Sequence, residues 1–91
     1  MEDLKDLRAK LDDIDRNMVA LFEKRMDISR RVAETKKAQG LPVLDQSREE
    51  QVLASRCGYL TDASLAAETR ALYQEIMRLS RGVQEKLLKE D

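Results

Sequence analysis

No glycine or proline interrupts residues 1–39, which read MEDLKDLRAKLDDIDRNMVALFEKRMDISRRVAETKKAQ. Apolar side chains recur in this stretch at spacings of three and four residues, and charged side chains fill most positions between them. The recurring residues are Leu4, Leu7, Leu11, Ile14, Met18, Leu21, Ile28 and Val32. Because this spacing places them on one side of an α-helix, it predicts a single amphipathic helix of about 36 residues.

The next five residues, 40–44, read GLPVL and end this helix, because proline disfavours helical angles in the residue before it. A second helix of about ten residues is predicted to begin at Asp45 or at Ser47. Ser47 and Glu50 have the spacing of a capping box, and Asp45 is the competing cap. Gly58 is expected to close this helix in a left-handed conformation.

A third helix follows, with Thr61 and Asp62 as candidate caps. Gly82 interrupts it at a cost of about 1 kcal/mol relative to alanine, so we expect the glycine to mark a close approach of another backbone. The apolar stripe of this helix consists of Leu65, Leu72, Tyr73, Ile76, Met77, Val83, Leu87 and Leu88.

These elements predict an all-α fold with one very long, one short and one long helix in a single domain, residues 1–91. A helix of about 36 residues is about 54 Å long, whereas a compact domain of this size is roughly 32 Å across. The first helix must therefore extend beyond its own domain. We predict an intertwined homodimer that covers the exposed stripe, with a long antiparallel coiled coil as the alternative.

The composition excludes several classes of function. Lys and Arg number 17 against 18 Asp and Glu, a net charge of −1, which argues against a nucleic-acid or anionic membrane partner. There is no histidine and a single cysteine, Cys57, so we expect no metal site, no internal disulfide and no Cys-His nucleophile. The longest apolar run, residues 18–22, cannot span a bilayer. We expect a soluble, cytoplasmic protein.

Arg25 stands where the spacing of the first stripe requires an aliphatic residue. A guanidinium in a core position needs a carboxylate, supplied by the protein or by a ligand. Ser29, Val32 and Lys36 follow on the same face, with Lys36 about 16 Å further along the axis. Arg25 and Lys36 could bracket a small dianion. In the alternative, Arg25 pairs with an acid of another helix and Lys36 extends into solvent.

Polar residues also interrupt the other two helices. Asp45, Arg48, Glu49 and Val52 share one face of the second helix, where capping and solvated charges are the simpler interpretation. In the third helix, Ser80 and Gln84 lie four residues apart beside Met77. Together the three helices predict a small, enclosed, cation-rich site for an anionic ligand, which acts by electrostatics and positioning rather than by covalent catalysis.

The order and spacing of these residues resemble the all-helical chorismate mutases of the AroQ class. The resemblance covers nearly the whole chain and rests on these segments: Leu7-Arg8, Ile14-Asp15, residues 21–25 (LFEKR), residues 32–36 (VAETK), residues 42–45 (PVLD), Arg48-Glu49, Ser80 and Gln84. It implies a dimer of three-helix subunits with two active sites. It also implies rearrangement of chorismate to prephenate, in phenylalanine and tyrosine biosynthesis, without a cofactor.

The resemblance also implies roles for individual residues. Arg25 and Arg8 match arginines that hold the two carboxylates of the substrate, the second reaching across from the partner subunit. The spacing agrees, because Arg8 lies about 25 Å along the helix from Arg25 and on a different face. Lys36 matches a lysine that binds the ether oxygen and a carboxylate, and Gln84 matches a residue that contacts the same oxygen.

Further positions match the remainder of the family's site. Arg48 matches an additional site arginine, Asp45 and Glu49 lie where the family recognises the ring hydroxyl, and Ser80 lies where it binds a carboxylate. The residues that match apolar walls are Val32, Val52 and Met77.

The chain departs from the family's pattern at three positions. Arg81 replaces a small aliphatic wall residue, so either its stem forms the wall or the third helix is rotated, which affects the contact expected of Ser80. Leu44 replaces a basic residue. Gln84 is the neutral form of a position that can be glutamate, and a neutral amide donates a hydrogen bond without first being protonated. We therefore expect the chain to work near neutral pH.

Three alternatives remain at this stage. The chain could be a non-enzymatic helical dimerisation module whose core-facing cations pair with acids across the dimer interface. It could be an isochorismate pyruvate lyase, which uses a similar scaffold. It could also be the mutase domain of a longer polypeptide that contains prephenate dehydratase, prephenate dehydrogenase or another pathway enzyme.

Overall fold

A computed structural model describes residues 2–89, and within them the chain is all-helical. Helix α1 spans Leu4–Gln39, α2 spans Gln46–Cys57, and α3 spans Ala66–Lys89, with a short 3₁₀ helix at Ala63–Leu65 directly before it. The predicted all-α class and the three helices are confirmed. Helix α1 has the predicted 36 residues and begins after the cap residue Asp3.

Single residues cap the end of α1, the start of α2 and the start of the 3₁₀ helix. Gly40 ends α1 with a left-handed φ of 69°, a conformation that favours glycine. Asp45, and not Ser47, caps α2: its carboxylate accepts a hydrogen bond from the Arg48 backbone N–H at 3.0 Å. Asp62 caps the 3₁₀ helix, accepting from the backbone N–H of Ser64 at 3.0 Å.

Two glycine predictions were wrong. Gly58 is right-handed, with a φ of −69°. The chain keeps turning in the same sense after α2, because Tyr59 and Leu60 donate backbone hydrogen bonds to carbonyls three residues earlier. Gly82 marks no close approach, since a Cβ placed there would meet nothing within 4 Å in the described chain.

Helix α3 packs against both α1 and α2. Val52 and Leu53 of α2 pack with Met77 of α3, and the half-buried Tyr73 packs against them. This core is small. Other buried residues lie where the second half of α1 meets α3, and they are Met26, Ser29, Ala33 and Gln84.

The first half of α1 has no cover from its own chain. Every residue from 2 to 24 is exposed, including Leu11 at 57% and Leu21 at 62%. The molecule measures 57 Å along its longest axis, and its radius of gyration is 16.5 Å. A compact chain of this length would have a radius near 12 Å. The long helix therefore extends beyond the globular part, as its length predicted.

Candidate functional site

A cavity of about 330 Å³ lies among the three helices and the loop between α1 and α2. Its lining includes every site residue predicted from the sequence except Arg8. Those residues are Arg25, Val32, Lys36, Asp45, Arg48, Glu49, Val52, Met77, Ser80 and Gln84. Residues from all three helices thus meet at one place, although their positions in the sequence span sixty residues.

Arg8 is the exception. It lies on the exposed first half of α1, outside the lining of the cavity. A rigid helix separates it from Arg25 by about 25 Å along the axis. Within one chain, Arg8 therefore does not reach the cavity.

One wall of the cavity is a chain of neutral hydrogen-bonding groups. The buried Gln84 of α3 donates from Nε2 to the Ser29 hydroxyl of α1 at 2.9 Å, and Ser29 is hydrogen-bonded in turn to the Ser80 hydroxyl. The amide nitrogen has two hydrogens, and the bond to Ser29 uses one. Gln84 is therefore fixed in place and keeps a donor for a ligand.

Lys36 is held by the loop that follows its own helix. Its ammonium nitrogen donates to the Val43 carbonyl at 2.7 Å. Gly40 ends α1 in a left-handed conformation, and the next residue, Leu41, donates its backbone N–H to the Lys36 carbonyl at 2.8 Å, so the loop begins beside Lys36. The ammonium has three hydrogens, so the single bond to Val43 leaves donors for a ligand.

Arg25 has no carboxylate partner within residues 2–89. Its guanidinium lies 6.0 Å from the centroid of the Tyr73 ring, at the limit of a cation–π contact. Burial lowers the pKa of Arg25 from its ordinary value, Tyr73 opposes this shift, and the positive charges of Arg56 and Arg48 add to it. The alternative in which Arg25 pairs with an acid of its own chain is therefore wrong for the described residues.

The acidic residues of the cavity have partners of their own. Glu49 forms an ion pair with Arg81, whose Nη1 donates to both carboxylate oxygens, to Oε2 at 2.6 Å. The carboxylate of Asp45 caps α2, and the guanidinium of Arg48 donates to Gln51 at 2.7 Å. The Arg81 side chain thus contributes a charge to the lining.

The position of Ser80 resolves the question that Arg81 raised. Ser80 lines the cavity and is hydrogen-bonded to Ser29. The orientation of helix α3 therefore places Ser80 in the site.

The sequence analysis assigned no site role to Ile28, Val43 and Arg56, which line the cavity; it placed Ser29 on the face of Arg25 and Arg81 at a wall position, and both also line the cavity. Arg56 had a usable signal, because it follows Arg48 and Val52 at intervals of four and therefore shares their face of α2. Ile28 and Ser29 are one turn beyond Arg25 on α1. Val43 had no signal, because a loop carries no periodicity.

The lining holds five cationic side chains against two carboxylates, so its net charge is strongly positive. The cationic side chains are those of Arg25, Lys36, Arg48, Arg56 and Arg81. Cys57 is not among the lining residues, and no group of three or more His, Cys, Asp or Glu side chains within residues 2–89 is placed to hold a metal ion. Nor does any helix in that range have the length and apolar character needed to cross a membrane.

Fold and site together define an all-helical protein with a cation-rich cavity suited to a small organic anion. Over residues 7–85 the chain matches the family "Chorismate mutase type II", and it belongs to that family. This confirms the resemblance found in the sequence and the enzyme class, a chorismate mutase, which is an isomerase.

Two relatives illustrate the match. The T-protein of Haemophilus influenzae is 35% identical over 78 residues, which are 86% of this chain and 20% of that protein. The chain thus spans about a fifth of the length of that relative. A conserved hypothetical protein from Pyrococcus furiosus is 36% identical, with a TM-score of 0.74 over 89% of this chain and 93% of that one.

Proposed function

We propose that this chain catalyses the Claisen rearrangement of chorismate to prephenate in phenylalanine and tyrosine biosynthesis, in the cytoplasm and without a cofactor. The observation that carries the proposal is that Arg25 has no carboxylate partner within residues 2–89 and lines a cavity together with Lys36 and Gln84. A half-buried guanidinium without a carboxylate is costly unless a ligand supplies one. Chorismate is a dicarboxylate, so it supplies two.

The volume of the cavity supports the same substrate class. About 330 Å³ is at the lower end of the range for small-molecule sites. Val32, Val52 and Met77 give the cavity apolar walls, against which the carbon skeleton of a ring compound can pack. Several polar groups of the lining are held by hydrogen bonds, among them Lys36, Glu49 and Gln84, which favours one orientation of the ligand.

The reaction needs no nucleophile and no proton transfer. It needs the flexible substrate held in a compact conformation, and stabilisation of the negative charge that develops on the breaking ether oxygen. In our proposal Lys36 and Gln84 donate to that oxygen, and each well-placed donor contributes about 3 to 4 kcal/mol. A millionfold acceleration needs only about 8 kcal/mol. Two donors and conformational restriction are therefore sufficient.

The remaining residues bind and orient the substrate in this proposal. Arg25 holds one carboxylate, and Arg48 and Ser80 add donors for the carboxylates. Asp45 and Glu49 accept from the ring hydroxyl, and Glu49 is held for this purpose by its ion pair with Arg81. Asp45 caps α2 through its Oδ1 atom, which leaves its second carboxylate oxygen for the hydroxyl.

We further propose that the working unit is an intertwined homodimer of mutase domains, each comprising residues 1–91. The support is the exposed apolar stripe on the first half of α1, since contiguous apolar surface of this extent is typical of a protein interface. A partner helix packed along this stripe would also bring a second copy of Arg8 towards the cavity. In this arrangement Arg8 binds the second carboxylate in trans.

The proposal is tested by incubating the protein with chorismate and identifying the product. Prephenate is expected, and Arg25→Ala is expected to lower kcat/KM by about a hundredfold or more, because it removes a desolvated charge partner of a carboxylate. Arg78→Ala is the matched control: Arg78 is an exposed arginine of α3 whose ion pair with Glu75 is solvated. Circular dichroism checks that each variant is folded.

Other outcomes would identify the alternatives. In a parallel incubation with isochorismate, formation of salicylate and pyruvate by a protein that leaves chorismate unchanged would make the chain an isochorismate pyruvate lyase. A folded dimer that leaves chorismate unchanged would favour the dimerisation module.

A further inference from the structure

Arg56 is a cationic residue of the cavity that the resemblance does not account for. It lies in the last turn of α2 and is half-buried. Together with Arg48 and Val52 it forms a row along one face of this helix, and all three line the cavity. The same face that supplies Arg48 and the Val52 wall therefore brings a further guanidinium to the site.

The partners of Arg56 are all neutral. Its Nη1 atom donates to the Ser55 hydroxyl at 2.9 Å and to the Tyr59 hydroxyl at 3.4 Å, and its guanidinium lies 5.5 Å from the centroid of the Tyr59 ring. No carboxylate within residues 2–89 pairs with it. These contacts fix the guanidinium through one nitrogen, while Nε and Nη2 keep their hydrogens for a ligand.

Arg56 is also close enough to Arg25 to act on it electrostatically, since its positive charge contributes to the lowered pKa of Arg25. Two like charges in a partly buried cavity repel each other. An anion placed between them removes this repulsion and gains attraction from both. The pair therefore favours an anionic group over a neutral one at this end of the cavity.

We infer that Arg56 binds the substrate directly, and that Arg56 and Arg25 together hold one carboxylate of the dicarboxylate. The inference rests on the proposed function and extends it by a binding residue. Tyr59 and Ser55 serve as positioning residues that orient the Arg56 guanidinium before the substrate arrives. Because Arg56 binds a carboxylate and not the reacting bond, it contributes to ground-state and transition-state binding alike.

The experiment compares wild type, Arg56→Gln, Arg56→Lys and Arg70→Gln in steady-state turnover of chorismate. Arg56→Gln is expected to raise KM by about tenfold or more and to leave kcat within about twofold, because a charge-assisted hydrogen bond to a carboxylate is lost in both states. Arg56→Lys keeps the charge but loses the planar fork, so an intermediate KM is expected. Arg70 is an exposed arginine of α3 outside the lining, and its variant is expected to match wild type.

The dependence of KM on salt gives a second readout that a structural role would not change. Removing one cation from the site makes the increase of KM with ionic strength shallower in Arg56→Gln than in Arg70→Gln. If Arg56→Gln does not fold by circular dichroism, Arg56→Met, which also removes the charge and keeps a long side chain, decides the question through the same two readouts.

The outcomes separate this inference from the proposed function. If wild type forms prephenate and a folded Arg56→Gln has the KM and salt dependence of Arg70→Gln, the inference is overturned and the proposed function stands. If wild type does not turn chorismate over, the proposed function fails, and the substrate assigned to Arg56 fails with it.

Discussion

At the scale of single residues, the role proposed for Gln84 predicts how the reaction depends on pH. It is buried, and it is fixed by its bond to Ser29. An amide donates a hydrogen bond at every pH in the neutral range, whereas a carboxyl group donates only when protonated. No histidine or cysteine lines the cavity, and these are the side chains that ordinarily titrate near neutral pH.

We therefore expect the kcat of wild type to vary less than about twofold between about pH 6 and pH 8. In Gln84→Glu the donor exists only in the protonated acid, which is populated below the pKa of the new carboxyl group. The kcat of this variant should consequently fall as pH rises through that pKa, by up to tenfold per pH unit. Rate profiles of both proteins, with circular dichroism at each pH, test this. A steep loss of wild-type turnover over the same range would contradict the assignment of Gln84.

The residues of the cavity also show what a sequence can reveal. Arg25 was identifiable because it breaks an apolar stripe, so its position alone raised the question of a partner. The ion pair between Glu49 and Arg81 was not identifiable, because it joins residues 32 apart on two helices whose relative rotation only packing determines. Arg56 was missed for a different reason: a cation in the last turn of a helix is usually explained by the helix dipole.

At the scale of elements, we expect alanine substitutions at Gly40 and at Gly82 to change the free energy of unfolding in opposite directions. Gly40 has a φ of 69°, where a Cβ is strained, so Gly40→Ala should lower the free energy of unfolding by about 1 to 2 kcal/mol. Gly82 lies inside α3 with open space at its Cβ, so Gly82→Ala should raise it by up to about 1 kcal/mol. Urea denaturation at one fixed protein concentration measures both, since any dimer makes stability depend on concentration.

The Gly40 variant has a further consequence for the site. The Gly40 turn directs residues 41–45 towards Lys36, so a strained turn should also weaken the contact between Lys36 and the Val43 carbonyl. Turnover by Gly40→Ala should fall, while Gly82→Ala keeps wild-type turnover. Equal stability changes of the same sign in the two variants would contradict this account of the turn.

The helices themselves were largely predictable, and the reason is physical. Periodicity and breakers are local, so the ends of α1 at Gln39 and of α2 at Cys57 follow from the residues around them. The conformation of Gly58 depends on where the chain goes next, and the space around Gly82 depends on what packs there. Neither is a local property, and both predictions were wrong.

At the scale of the whole molecule, the shape of the chain argues for a second copy. The buried core is confined to residues 26–84, while α1 extends beyond it with an exposed apolar stripe. The site is also incomplete within one chain, because Arg8 is the one predicted site residue that lies outside the cavity lining. An isologous dimer would cover the stripe and supply the missing arginine by one symmetry operation.

This arrangement predicts complementation between inactive variants. Arg8→Ala and Arg25→Ala should each lose most activity alone, because every site in either homodimer lacks one arginine. In a mixed dimer, one site combines Arg25 of the first chain with Arg8 of the second, and the other site lacks both. Random mixing makes half of the dimers mixed, so co-refolding equal amounts should restore about a quarter of wild-type turnover. Each variant refolded alone is the control, and light scattering gives the mass of the particle. If Arg8 acted within its own chain, mixing would restore nothing, since no chain would then carry both arginines.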